Sequence, residues 1–190
     1  MSYSSEFQTI DILLKSDAET RGVDAFALSV IKAERQIRKI FTYLVFQFPS
    51  FTPSDFVSFR RVLGENKKVY FQGFIKGIDS LYPKTVKDMI GVEYDFLLTK
   101  LDDAITYRNK IFHGQLTDKH LTRPDLLRIV EEIRKWCKTL SVRAKSEFDF
   151  DGFERNSLQK NPKPIWKNYR IPIENLEGYR AFIREHLQQK

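Results

Sequence analysis

Two long stretches of the sequence repeat apolar residues at alternating steps of four and three. The first runs from about Phe26 to Phe48, where Pro49 stops it, and the second follows TRPD, Thr122 to Asp125. The repeating positions are Phe26, Val30, Ala33, Ile37, Ile40 and Leu44 in the first stretch and Leu126, Val130, Ile133, Cys137, Leu140 and Ala144 in the second. This spacing puts each set on one face of an α-helix. Because such faces must be buried against other elements, the sequence predicts an all-α helical bundle.

Capping sequences predict where other helices begin. Thr52 to Asp55 (TPSD) and Thr85 to Asp88 (TVKD) each place a threonine at the N-cap and a carboxylate at the third helical position, where the carboxylate reaches back to the cap. We expect the helix that starts at TVKD to be long and to run to Phe112 or His113. Gly114 would then be its C-terminal cap.

The remaining segments define the predicted domain organisation. A short helix is expected within residues 67–83, although Gly73 and Gly77 each weaken a helix by about 1 kcal/mol relative to alanine. Residues 1–148 are predicted to form the bundle, with an N-terminal helical segment at 1–25. Residues 149–190 are predicted to be a C-terminal extension that packs on the bundle, as an extended strap ending in a helix formed by ENLEGYRAFIREHL.

Charge and cysteine content narrow the functional classes. Lys and Arg outnumber Asp and Glu by 32 to 25, a formal charge of +7 that favours an anionic partner such as nucleic acid. The single cysteine, Cys137, excludes an intramolecular disulfide or a multi-cysteine metal site, and its spacing predicts a core position. With no HxxxH or HExxH pattern, we expect no metal or cofactor. No apolar segment is long enough to span a bilayer, so we expect a cytoplasmic protein without a membrane partner.

The stretch YRNKIFHG, Tyr107 to Gly114, places an arginine in an apolar helix face. At about 100° per residue, the side chains within roughly 40° of Arg108 are Ile90, Tyr94, Leu97, Leu101, Ala104 and Phe112. An unpaired buried guanidinium is very unfavourable, so Arg108 must be paired, lie at a water-containing seam or face another chain.

A polar stripe follows the rim of the same predicted helix. Asp102, Thr106, Asn109 and His113 share one edge at positions i, i+4, i+7 and i+11, about 100–160° from Arg108. His113 is also explained without a function, because a histidine at a helix C-terminus complements the helix dipole. Arg108 fits that explanation poorly, since it lies more than a turn from the helix end.

Arg108-Asn109-Lys110-Ile111-Phe112-His113 resembles the signature of the HEPN superfamily, an arginine followed after four to six residues by a histidine, often with a polar residue directly after the arginine. The resemblance covers roughly Phe26 to Phe148. It implies an antiparallel four- to five-helix bundle that commonly dimerises and brings two motifs together across a cleft. Many members are metal-independent endoribonucleases found as toxins or in phage defence, often with an antitoxin; others are non-catalytic binding modules.

The resemblance implies catalytic roles for three residues. His113 would act as base or acid, Arg108 would hold phosphate oxygens, and Asn109 would orient His113 or bind phosphate. The products would be a 2′,3′-cyclic phosphate and a 5′-hydroxyl. We expect a homodimer in which Arg108 faces the second copy of itself. A structural bundle whose motif is coincidental is the remaining alternative, and an internal salt bridge at Arg108 would favour it.

Further substrate-binding candidates lie along the rim, in the following loop and in the extension. They are Asp102, Thr106, Lys110, His120, Lys163, Trp166 and Lys167. His120 follows the motif in a loop, where a solvated histidine without function is the simpler interpretation. Residues 155–170 carry five basic residues and no acidic one, with Trp166 and Tyr169 between them, a composition suited to single-stranded RNA. The alternative is a strap with Ile165, Trp166 and Tyr169 in a groove and solvated lysines.

Overall fold

The computed structural model describes residues 3–66, 69–117, 119–154 and 156–188. Within these ranges the fold is all-α, as predicted, and its β-type pairing is one isolated bridge between Val69 and Gln188. The α-helices are α1 (Tyr3–Lys15), α2 (Arg21–Phe46), α3 (Phe56–Glu65), α4 (Phe71–Leu81), α5 (Val86–Ile90), α6 (Tyr94–Phe112), α7 (Arg123–Phe148) and α8 (Leu176–Phe182). Short 3-10 turns span Pro53–Asp55 and Ile165–Asn168, and a π-helical turn, Ile183–Leu187, continues α8. No described helix combines the length and the apolar character needed to cross a membrane.

Helix α2 is the centre of the fold. It packs mainly against α7 and α4 and also contacts α1 and α6. Its predicted apolar stripe is buried, and so are polar positions outside the stripe such as Gln36. The Gln36 amide donates to the backbone oxygens of Cys137, at 3.0 Å, and Asp151, at 3.1 Å. Cys137 is buried as predicted, and burial raises the pKa of its thiol, which keeps it protonated and unreactive.

The helix predicted to start at TVKD is interrupted, which corrects the sequence-based expectation. The capping box at Thr85 is present, but α5 ends at Ile90 and α6 begins only at Tyr94. Gly91, between them, has φ 82° and ψ −148°, a conformation outside the helical region that residues with a side chain rarely adopt. The motif-bearing helix is therefore α6 alone, and its N-terminus is set by the turn at Gly91.

The C-terminal residues complete the core of the bundle. Tyr179, Phe182, Ile183 and Leu187 are buried, and the ring of Phe41 on α2 stacks with Tyr179 and Phe182 at centroid distances of 6.3 and 6.2 Å. Helix α4 has Gly73 and Gly77 where the turn after α8 crosses it. A Cβ added to Gly73 would lie 2.2 Å from the backbone oxygen of Leu187. The two glycines that lower helix propensity are thus required by close packing.

The strap between α7 and α8 is anchored by hydrogen bonds to the bundle. The ammonium group of Lys160 donates to the backbone oxygens of Phe46, at 2.5 Å, and Phe48, at 2.6 Å, at the C-terminal end of α2. The hydroxyl of Tyr169 donates to the Leu44 oxygen at 3.0 Å. The guanidinium of Arg170 donates to the backbone oxygens of Asp79, in the last turn of α4, and Pro83, just after it. Two of the five basic residues of this segment therefore have structural roles.

Substituting Gly73 by alanine tests the close approach. The overlap with the Leu187 carbonyl should lower the free energy of unfolding by about 1–3 kcal/mol, as for other overpacked sites. Gly64→Ala on α3 is the matched control, because nothing lies within 4 Å of a Cβ added there. The control should keep or raise the stability, by up to about 1 kcal/mol. Urea denaturation of both variants measures this; equal stabilities would contradict the packing described.

Candidate functional site

Arg108 lies on the buried side of α6 and is paired within the chain. Its Nη2 donates to Oε1 of Glu34 on α2 at 2.8 Å, and its side chain is 14% exposed. The guanidinium carbon lies 5.8 Å from the ring centroid of Phe112, one turn further along α6. The predicted position in the apolar face is therefore confirmed, and Glu34 neutralises the charge.

Glu34 is the partner that the sequence analysis did not identify. It is the only acidic residue in the run Lys32 to Lys39, KAERQIRK, so a lone carboxylate among four cationic side chains was the available signal. Because Glu34 pairs with Arg108, no second copy of the chain is needed to neutralise the guanidinium. Its Nε atom is nevertheless buried without a hydrogen-bond partner. The guanidinium therefore retains donor capacity beyond its bond to Glu34.

His113 and Asn109 are exposed at the C-terminal end of α6. His113 is the C-cap residue, and its backbone N–H donates to the Asn109 oxygen at 3.1 Å. Gly114 has φ 64°, and the N–H groups of Gly114 and Gln115 bond the oxygens of Ile111 and Lys110 at 3.1 and 2.8 Å. This is a Schellman motif, which fixes the backbone under the His113 imidazole and leaves the ring accessible to a ligand.

The other rim positions differ from one another. Thr106 is exposed, whereas Lys110 is half-buried and interacts within the chain. Asp102 is half-buried and accepts a hydrogen bond from the Gln72 amide at 2.6 Å. Burial raises the pKa of Asp102, and the bond from Gln72 partly opposes this. Asp102 therefore joins α6 to α4, and Thr106 is the rim position that lies open beside Asn109 and His113.

His120 is on a different side of α6. It lines a cavity of about 210 Å³ together with Lys100, Asp103 and Tyr107 of α6 and residues from the start of α7. Those α6 positions lie about 80–140° from Arg108, in the opposite direction from Asn109 and His113. The structure therefore does not bring His120 together with His113.

The strap residues are also remote from the motif. Trp166 and Lys167 line a cavity beside Phe48, just beyond the C-terminal end of α2, and Lys163 is exposed. Glu34, the ion-pair partner of Arg108, lies 14 positions before Phe48 in the sequence, a separation of about 20 Å along a helix. The cavity beside Phe48 is therefore far from the motif. Ile165 is buried and Trp166 and Tyr169 are half-buried, as the strap interpretation expects. Arg155, part of the predicted basic segment, lies outside the described residues.

Phe112 does not pack in the core, which corrects its predicted place in the apolar stripe. It is 60% exposed, and Leu116 in the following loop is 93% exposed. The buried positions of α6 end at Tyr107, so the last turn of α6 projects past the helices that cover the earlier turns. Two large apolar side chains thus lie in solvent beside Arg108 and His113.

The described residues contain no group of three or more His, Cys, Asp or Glu side chains able to hold a metal ion. No family model, curated protein or solved structure matches this chain. The chemistry of the site therefore has to be argued from its own side chains.

A double-mutant cycle tests the ion pair of Glu34 and Arg108. Glu34→Ala should lower the free energy of unfolding by about 1–3 kcal/mol, between the values typical of exposed and buried pairs, because it strands a mostly buried guanidinium. The double variant with Arg108→Ala should recover part of that loss. The pair formed by Lys87 and Asp95 is the matched control, since both side chains are exposed and their coupling should stay below about 1 kcal/mol. Equal coupling energies in the two cycles would contradict the partial burial of the pair formed by Glu34 and Arg108.

Proposed function

We propose that this protein is an endoribonuclease of HEPN type that cleaves RNA without a metal ion. The observation that carries the proposal is the arrangement at the end of α6. His113 and Asn109 are exposed on a backbone fixed by the Schellman motif, and Arg108 is held nearby by Glu34. An accessible imidazole, with an oriented guanidinium five residues earlier on the same helix, supplies the types of group that transesterification of RNA requires.

The proposed reaction is an attack of the ribose 2′-oxygen on the adjacent phosphorus. The 2′-hydroxyl gives its proton to a general base, the bond from phosphorus to O5′ breaks, and a general acid protonates the leaving O5′. The products are a 2′,3′-cyclic phosphate and a 5′-hydroxyl. His113 serves as base or acid because an imidazole nitrogen can accept or donate a proton. Arg108 donates to a phosphate oxygen, and Asn109 orients His113 or bonds the same phosphate.

A homodimer would supply two histidines for the two proton transfers. The exposed side chains of Phe112 and Leu116 support such an association, because large apolar groups beside a polar motif favour coverage by another chain. Ile31, one turn before Glu34 on α2, is also exposed. In the cell, a cytoplasmic enzyme of this kind would serve as a toxin or phage-defence effector, and a protein antitoxin would be its partner.

A second candidate function is a non-catalytic HEPN dimer that binds RNA, a nucleotide or a protein partner. The observation that favours it is the ion pair itself, because Glu34 already engages the guanidinium that a phosphate would need. In that case, association should survive loss of His113 and should be disrupted by Arg108→Ala. An Arg108 satisfied within the chain also fits a purely structural bundle, for which the protein would be a monomer that neither cleaves nor binds RNA.

His113→Ala should lower the rate of RNA cleavage by about 100- to 10,000-fold, the usual contribution of general acid–base catalysis. The assay is cleavage of a labelled single-stranded RNA in EDTA, with the ends of the products identified. His186→Gln is the matched control, because His186 belongs to the turn after α8 and should leave the rate unchanged. His113 is an exposed C-cap residue, so the circular dichroism and melting temperature of the variant should match those of the wild type.

Two results of that assay would contradict the enzymatic proposal. One is intact RNA at high concentrations of wild-type protein, and the other is equal cleavage by wild type and His113→Ala. If RNA binds without being cut and the Arg108→Ala variant loses it, the non-catalytic candidate replaces the enzyme.

The exposed apolar side chains give a separate prediction about assembly. The wild type should have a mass in solution of twice 22.5 kDa, and Phe112→Ser combined with Leu116→Ser should reduce it to that of one chain. Val142→Ser on α7 removes an exposed apolar side chain elsewhere and should keep the dimer. Light scattering after size-exclusion chromatography measures the masses. A monomeric wild type, or a dimer that all three substitutions leave intact, would contradict an interface at the motif.

A further inference from the structure

A basic pocket of about 490 Å³ lies between α2, α3 and the start of the strap. Among the described residues, four cationic side chains line it: Arg35, Arg38 and Lys39 from α2 and Arg60 from α3. None of the described residues that line it carries a carboxylate. A volume of this size is typical of sites that hold a small organic ligand.

The cations of this basic pocket are only partly neutralised. In the part of the chain that the structure describes, Arg38 and Arg60 form no hydrogen bond or ion pair with their side chains, whereas Arg35 bonds the Glu6 carboxylate at 3.1 Å. Lys39 donates to the backbone oxygen of Glu154. Burial, followed by repulsion from Arg35, lowers the pKa of Lys39. A bound anion would relieve this repulsion, and two free guanidinium forks match the geometry of phosphate oxygens.

The floor of the basic pocket is apolar. Phe59, Phe74 and Leu158 line it, are almost fully buried, and present carbon atoms to the cavity. Two amides stand at its edge. The Asn66 amide is held by a bond to the Val62 oxygen at 2.5 Å, and the Oδ1 atom of Asn156 accepts from the Leu158 N–H at 2.9 Å. Cations over an apolar floor with fixed amides suit a ligand that joins a phosphate to a planar, hydrogen-bonding group.

We infer that the basic pocket binds one nucleotide unit, with the phosphate held by Arg38 and Arg60 and the base placed on the floor formed by Phe59, Phe74 and Leu158. The unit has two possible sources, a free mononucleotide or one nucleotide of a single-stranded RNA. This site uses none of the residues of the motif at the end of α6.

The basic pocket shares α2 with Glu34, the ion-pair partner of Arg108. Arg38 is one helical turn after Glu34, about 6 Å along α2, so both project toward the same side of that helix. A strand that met Arg108 could therefore continue into the basic pocket. Only the RNA source rests on the proposed ribonuclease function, whereas binding of a free mononucleotide does not.

Binding measurements with the full chain test the inference. Adenosine monophosphate is titrated by calorimetry, and a labelled ten-nucleotide RNA with 2′-O-methyl riboses, which cannot be cleaved, is followed by fluorescence anisotropy. Arg38→Gln combined with Arg60→Gln should weaken binding of the relevant probe at least tenfold. The charge-matched control is Lys138→Gln combined with Arg143→Gln, two exposed residues of α7 outside the basic pocket, and it should stay within twofold of the wild type.

A second pair of variants tests the space of the basic pocket without changing its charge, one by filling it and the other as a control. Gly64 lines the basic pocket and has open space around an added Cβ, so Gly64→Phe should fill the cavity and abolish binding, while Gly64→Ala should retain it. Both changes fall on an exposed helical position, which keeps the test valid if the arginine variant fails to fold.

The outcomes separate the two sources and the alternatives. Loss of monophosphate binding in the pocket variants supports a free nucleotide, and loss of RNA binding alone supports a nucleotide within a strand. Equal binding by pocket and control variants would overturn the site. Inorganic phosphate and adenosine each carry one half of the nucleotide. If either binds as tightly as the monophosphate, the nucleotide assignment is overturned. A monophosphate in the basic pocket contacts no residue of the motif at the end of α6. Cleavage by His113→Ala therefore tests the ribonuclease proposal alone, and monophosphate binding by the pocket variants tests this inference alone.

Discussion

The burial of α2 on nearly every side is the constraint on which the rest of the structure depends. This helix contacts α1, α4, α6 and α7. Its buried Gln36 amide donates to the backbone oxygen of Cys137 on α7, and Lys160 donates to the backbone oxygen of Phe46 at its C-terminal end. The same surroundings leave one open strip, where α2 carries Glu34 and the arginines of the basic pocket. Both candidate sites therefore lie along the strip of α2 that the other helices do not cover.

Periodicity and capping predicted most of the fold because those signals are local. The apolar stripes of α2 and α7 and the capping boxes at Thr52, Thr85 and Thr122 are where the sequence indicates. The break at Gly91 was missed because the apolar spacing continues across it, and only the backbone conformation shows that the helix stops. The two glycines of α4 were interpreted as weak helix formers, since their partner, Leu187, is more than 100 residues away in the sequence.

The sequence predicted the part of the candidate site that lies on α6, but not the residues that other elements contribute. Helical geometry placed Arg108 in the buried face and His113 on the rim, because both belong to α6. It could not identify Glu34, which α2 contributes, or separate His120 from His113, because the loop between α6 and α7 has no periodicity. The basic pocket combines α2, α3 and the strap, so no single stretch of sequence contains its pattern.

The crossing of Leu187 over Gly73 has a consequence for the synthesis of the protein. Among the described residues, the segment from α8 to Leu187 covers the groove along α4 and α2, and it is translated after α1 to α7. Until then, the ring of Phe41 lacks its stacking partners Tyr179 and Phe182. The helices that carry the candidate site are therefore translated before the core that holds them can close, and the nascent chain reaches its final geometry only after residue 187 has emerged.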